Sequence, residues 1–207
     1  MNIKIFNRLI IILILICANA ACEKSLPEFR EGDIIFQTSK SSQSQTIQLA
    51  THSKYSHMGI IYIENGKQYV YEAAASVKLT PIKEWLKRGE GGRYAVKRLK
   101  KNKLLTSDVL KRMRLVGQQF KGKSYDVYFE WDDERIYCSE LVYKIYKLGA
   151  NIELGRLEKL KDFNLTDPIV KQKLKERFGD AIPYDEIVIS PKTIFDDEKL
   201  LEVFSNY

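Results

Sequence analysis

The stretch SHMGIIYIENGKQYVYEAAA, residues 56 to 75, limits the fold more than any other part of the chain. Two runs rich in Ile, Val and Tyr flank Asn65-Gly66, the dipeptide that most readily supplies the two left-handed residues of a type I′ turn. A two-residue loop fixes the register. Glu64 then faces Lys67, Ile61 faces Val70, Gly59 faces Glu72 and His57 faces Ala74. Because side chains alternate along a strand, His57, Gly59, Ile61, Val70, Glu72 and Ala74 share one face. Glu72 becomes the diagonal neighbour of His57, about 7–8 Å away at Cα, and Gly59 puts no side chain between them. A carboxylate leaning on an imidazole fixes its tautomer and favours its charged form. One register slip would place the two on opposite faces.

Around this hairpin the chain reads as one α+β domain. GDIIFQT (32 to 38) has the pattern of a strand, and SQSQTIQLATHS (42 to 53) that of a short helix. TPIKEWLKRG (80 to 89) predicts a helix with Thr80 as N-cap and Pro81 at its first position. GGRYAVKRL (91 to 99) reads as a strand. In TSDVLKRMRLVGQQF (106 to 120), Val109, Leu110, Met113, Val116 and Phe120 recur at helical spacing, with Ser107 or Asp108 as the cap. An aromatic, partly extended segment, GKSYDVYFEWDDERIY, leads to a second helical pattern at Leu141, Val142, Ile145, Tyr146 and Leu148, closed by Gly149. A capped helix from Asp167-Pro168 to Phe178 and a strand EIVIS (186 to 190) follow. No repeat or linker divides the chain.

The first 22 residues stand apart. Lys4 and Arg8 precede LIIILILICANAA, an apolar run shorter than the ~20 residues a membrane-spanning helix needs, and small residues follow it. This is the pattern of a secretory signal. Cys22 in NAAC is the candidate lipidation site; simple cleavage after Ala20 or Ala21 and an uncleaved anchor are the alternatives. Residues 23–30 then form a tether and residues 31–207 the folded domain. The expected location is the cell envelope or periplasm, with membrane attachment through a lipidated Cys22.

Charge supports that reading without sharpening it. The chain carries 34 Lys and Arg against 27 Asp and Glu, and losing Lys4 and Arg8 lowers the net charge from +7 to about +5. RYAVKRLKKNK (93 to 103) is the densest basic stretch, either a solvated face or a surface for anionic envelope lipids and polymers. No nucleic-acid-binding motif is present, and nucleic acid is not an expected partner.

Cys138, in DERIYCSELVYKIY, is the one cysteine beyond residue 22. It has no intramolecular partner, so the fold is not disulfide-stapled. It falls on the first turn of its helix, where free N–H groups and the helix dipole favour an anion, and a thiolate is the species that gains. Thiolate chemistry also needs a base, and the chain has two histidines, His52 and His57. His52 lies in the polar THSKYS and reads as a surface residue. His57 and Glu72 are the acid–histidine pair that the hairpin creates. The plainer readings are an inert buried thiol, a satisfied histidine and a solvated carboxylate. Val70, Tyr71 and Ala73 around Glu72 are apolar, however, and an ionised group there needs a partner. A zinc site of His52, His57 and Cys138 lacks ligand-type spacing; no metal or cofactor is expected.

EGDIIFQ, YSHMGIIY, YVYEA and YCSELVY, in that order, resemble the circularly permuted papain-like cysteine hydrolases, the YiiX-like branch of the NlpC-type superfamily related to lecithin retinol acyltransferase. The resemblance runs from about Glu31 to SPKTIF, and His57 precedes Cys138 as the permuted order requires. It implies an antiparallel sheet or small β-barrel packed against helices, with the nucleophile at a helix N-terminus. It implies Cys138 as nucleophile, His57 as general base and Glu72 as the residue orienting the imidazole, where papain has Asn. Tyr55 and Tyr137, beside the two motifs, are candidate substrate contacts. The implied function is an exported cysteine hydrolase that cleaves an amide or ester acyl bond through a thioacyl-enzyme. A cell-wall peptide and an acyl lipid are both open as substrate, and so is acyl transfer. The alternative is a lipid- or peptide-binding module with the same fold and no turnover. Tyr125, Tyr128, Phe129 and Trp131 either line an apolar groove or belong to the core.

Overall fold

A six-stranded antiparallel sheet organises residues 27–207, the part of the chain that the computed structural model describes. The signal, Cys17, Cys22 and the first part of the tether lie outside the described residues. In chain order the elements are β1 (Ile34–Gln37), α1 (Ser44–Thr51), β2 (His57–Glu64), β3 (Lys67–Ala73), β4 (Val77–Pro81), α2 (Ile82–Lys87), β5 (Ala95–Leu99) and α3 (Ser107–Phe120). Then come α4 (Cys138–Lys144), β6 (Glu158–Lys159), α5 (Pro168–Phe178), β7 (Ile187–Val188), α6 (Pro191–Phe195) and β8 (Leu200–Ser205). The sheet order is β4-β3-β2-β1-β5-β8, and β6 pairs separately with β7.

Alternation along the strands gives the sheet two apolar faces. Ile34, Phe36, Met58, Ile60, Tyr62 and Tyr71 pack against Met113 and Phe120 of α3 and Leu141 and Val142 of α4. On the other face Ile35, Ile61, Val70 and Val96 meet Ile82 and Trp85 of α2. Each such side chain, fully buried, contributes about 1.5–3 kcal/mol, so the sheet is clamped between two helical layers. Phe29 joins the second cluster, 6.3 Å from the Tyr94 ring, although it falls within the expected tether.

The hairpin has the expected register: Glu64 faces Lys67 and Ile61 faces Val70, with positive φ at Asn65 (50°) and Gly66 (73°). Gly59 is required by close approach. A Cβ there would stand 2.7 Å from the Tyr71 carbonyl oxygen and would overlap the Val70 side chain.

Four sequence expectations need correction. Thr80 is not a helix cap; it lies in β4 opposite Val70, and Pro81 takes the N-cap position of α2. Cross-strand pairing overrides the local cap signal there. The cap of α3 is Thr106, whose Oγ1 accepts from Val109 N, one residue before the expected pair. Gly149 does not close the second helix. α4 runs on through a π-helical turn, Ile145–Ala150, and stops at Asn151 in the left-handed region. Gly149 instead sits against α3, where a Cβ would come within 2.6 Å of Met113 Cα. EIVIS forms a strand only at Ile187–Val188, before Ser190 caps α6 by accepting from Thr193 N.

Candidate active site

His57 opens β2, and Glu72 comes from β3 on the same face. Both are buried, Glu72 completely. His57 Nε2 donates to Glu72 Oε2 at 2.6 Å. The other carboxylate oxygen accepts from Thr80 Oγ1 at 2.5 Å and from the Arg88 guanidinium. Burial alone would discourage the negative charge, but the hydrogen bond and charge of His57, with Arg88 and Thr80, prevail; Glu72 falls from 4.5 to about 2. Trp85 closes the rear of the pair, its ring 6.0 Å from the imidazole and near parallel to it.

With Nε2 committed to Glu72, Nδ1 is the nitrogen left to serve Cys138, whose sulfur lies near enough to favour the charged imidazole. Cys138 is a free, buried cysteine at the first position of α4. Tyr137 precedes it as N-cap, and its backbone N–H donates to Glu140 Oε2 at 3.4 Å. Burial opposes a charge on His57, yet the sulfur and the carboxylate on its two sides outweigh it and push its pKa from 6.5 up to about 9. The imidazole is therefore built to be charged beside the Glu72 carboxylate. The imidazole thus links the Glu72 carboxylate, by a hydrogen bond, to the neighbouring sulfur of Cys138 in one line.

That line, with histidine before cysteine in the chain, agrees with the family match. The model for the "Permuted papain-like amidase enzyme, YaeF/YiiX, C92 family" covers residues 28–204. This chain belongs to the permuted papain-like amidases. It is 44% identical over 201 residues to the uncharacterized protein YiiX of Escherichia coli K12, covering 95% of each chain. It is also similar to the crystal structure of metalloprotein yiiX from Escherichia coli O157:H7, with a TM-score of 0.83 and 45% identity over 86% of this chain and 98% of that one. The word metalloprotein describes the Escherichia coli protein. Among the described residues of this amidase, no group of three or more His, Cys, Asp and Glu is arranged to hold a metal ion. The described residues do not fit such a group.

The other candidates separate clearly. Tyr55 lines neither the apolar cleft at Cys138 nor the opening at His57; it is buried in an aromatic cluster, 4.2 Å from the Phe195 ring and 5.3 Å from that of Tyr207. Tyr137 lines the apolar cleft beside Cys138, with its hydroxyl accepting from Ile189 N at 3.1 Å. His52 is exposed at the left-handed C-cap of α1, away from the pair.

Tyr125 is the residue whose role the sequence does not reveal. It lines the cleft beside Cys138, and burial followed by the nearby sulfur raises its pKa well above 10.0. It thus stays a neutral donor. Two lone bridges, Ser76 with Ser124 and Tyr125 with Ile136, hold the irregular segment that carries it. The aromatic run was the available signal, but nothing in its spacing singled out Tyr125.

Proposed function

We propose that this amidase cleaves an acyl amide, or the corresponding ester, through a thioacyl-enzyme on Cys138. The observation that carries the reading is the line from Cys138 through the neighbouring His57 to its hydrogen-bonded partner Glu72. In the proposed reactive state the proton of Cys138 has passed to His57, so that a thiolate faces an imidazolium. Sulfur adds to the carbonyl carbon, and the developing oxyanion lies towards the Tyr125 hydroxyl and the Cys138 backbone N–H at the tip of α4. Collapse breaks the C–N bond as the leaving nitrogen takes the Nδ1 proton of His57. The neutral imidazole then removes a proton from water, hydroxide adds to the thioester, and the C–S bond breaks. Acid leaves, and thiolate and imidazolium are restored. Glu72 keeps the ring oriented and stabilises its charged form throughout.

The apolar leader ending at Cys22 supports export and a lipid anchor, so the reaction is placed at the cell envelope. The test is amine release from acyl amides and muropeptides, with acid-quenched mass spectrometry of Cys138. The reading predicts Cys138-dependent release and an acyl adduct on that residue. Release that persists in Cys138→Ala overturns it.

A further inference from the structure

Among the described residues, a few buried side-chain polar atoms have no hydrogen-bond partner: both amide atoms of Gln37, the Tyr62 hydroxyl and Trp85 Nε1. An orphaned buried group costs stability, so its retention calls for a reason. Two clefts meet at the reacting centre, one at Cys138 and one at His57, and Tyr62 and Trp85 line neither. Gln37 lines the cleft on which His57 opens, with Ser56, Lys87 and Arg88. Tyr125 belongs to both clefts.

Gln37 and His57 are directly opposed across β1 and β2, with their side chains on the same face of the sheet. The Gln37 amide is completely buried, and Gly89 keeps its place open: a Cβ there would come within 2.5 Å of Oε1. Its polar neighbours are already occupied. Ser56 Oγ accepts from Ser39 N at 3.0 Å and is hydrogen-bonded to Ser44 Oγ at 2.6 Å. Gln43 Oε1 accepts from Arg177 at 2.7 Å, and Arg88 is held by Glu72. One donor and one acceptor, side by side and next to His57, are thus left free.

Building on the proposed thioacyl chemistry, we infer that Gln37 is a specificity-determining residue that reads the leaving half of the substrate, and that this half carries a carbonyl one carbon away from the scissile nitrogen. The leaving nitrogen takes its proton from His57, so it departs into the cleft that Gln37 lines. A carboxamide is matched by a partner that offers an N–H and a C=O side by side. In an extended residue these two groups point the same way, as they do in the paired residues of an antiparallel ladder. The scissile N–H then donates to Gln37 Oε1, and the following carbonyl accepts from Nε2. The first of these bonds also fixes the direction of the nitrogen lone pair, which must meet the Nδ1 proton of His57. A simple alkylamine leaving group offers the N–H alone. An alcohol leaving group offers neither, and its ester oxygen opposes Oε1.

The test holds the acyl group constant in N-butanoylglycinamide, N-ethylbutanamide and ethyl butanoate, using the full chain, Gln37→Met and Cys138→Ala. The expected kcat/KM is about tenfold higher for the glycinamide than for the ethylamide, a preference that disappears in Gln37→Met. The ratio of ethylamide to ester turnover should fall about tenfold in the same variant, while ethyl butanoate still acylates Cys138. Gln37→Met also removes the orphaned amide, so its urea midpoint should rise. A glutamine with a purely structural role would instead lose stability and leave both ratios unmoved. Glycinamide added to the native chain should shift the Gln37 side-chain amide resonances more than ethylamine does, a readout that needs neither turnover nor a variant. Cys138-dependent turnover with both ratios unmoved in Gln37→Met, or Gln37 resonances indifferent to glycinamide, overturns the inference and leaves the amidase reading intact. Absence of Cys138-dependent turnover on every substrate overturns both.

Discussion

Glu72 and His57 stand diagonally across the β2–β3 hairpin and meet through a 2.6 Å hydrogen bond, inside protein that excludes water from the carboxylate. Thr80 and Arg88 hold the second carboxylate oxygen, so Glu72 is fixed at both ends before it orients the imidazole. An ionised group this deeply buried is tolerated only because each oxygen has charged or hydroxyl partners.

Glu72→Gln keeps the shape and removes the charge. It is expected to lower kcat by about 10²-fold or more, the range associated with impaired acid–base catalysis. Steady-state kinetics check this, with circular dichroism to confirm the fold. Unchanged kcat removes Glu72 from the mechanism.

The pH dependence of stability follows from the same pair. The pKa of His57 is raised from 6.5 to about 9, so its contribution is complete below 6.5 and is lost as pH rises through 9. That of Glu72 is lowered from 4.5 to about 2, so its contribution is complete above 4.5 and is lost as pH falls through 2. Urea denaturation should therefore show the pair's greatest support between pH 4.5 and 6.5. Glu72→Gln should flatten the decline on the alkaline side. With two histidines in the chain, imidazole NMR isolates the same effect: Cys138→Ala should shift the His57 titration to lower pH. An unmoved titration means that sulfur and ring do not interact.

Gly59→Ala tests the close approach behind the pair. The added Cβ would stand 2.7 Å from Tyr71 O, so the strands must part or the Val70 side chain must turn. A loss of about 1–3 kcal/mol in urea denaturation is expected, the usual cost of overpacking. Activity should fall with it as Glu72 is drawn away from His57.

Tyr125→Phe removes one hydroxyl at the sulfur. If that hydroxyl stabilises the oxyanion, kcat falls by about 10²-fold with little change in KM. A change confined to KM would make Tyr125 a wall of the two clefts and nothing more.

The hairpin and its acid–histidine pair were legible because Asn65-Gly66 fixes register within a few residues. Cys138 was legible because an abrupt helix start places it. The partners of Glu72 were not. Thr80 carries a cap-like sequence, TPIKEW, and only pairing with β3 turns its hydroxyl towards the carboxylate. Arg88 reaches Glu72 from just beyond α2, and no periodicity marks such a residue. Gln37 comes beside His57 through the pairing of β1 with β2, whose register is set by the core and not by a short turn. Tyr125 lies on irregular chain, where tertiary contacts alone decide direction. Tyr55 shows the reverse failure: nearness to His57 in sequence suggested the site, but the aromatic cluster with Phe36, Phe195 and Tyr207 claims it.

Alkylation of Cys138 by iodoacetamide at pH 6 tests the sulfur–imidazole–carboxylate line most directly. The account predicts a rate about tenfold or more above that of a free thiol, the mark of an activated cysteine, falling to the free-thiol rate in His57→Ala. A wild-type rate no greater than that of a free thiol, unaltered by His57→Ala, would contradict it.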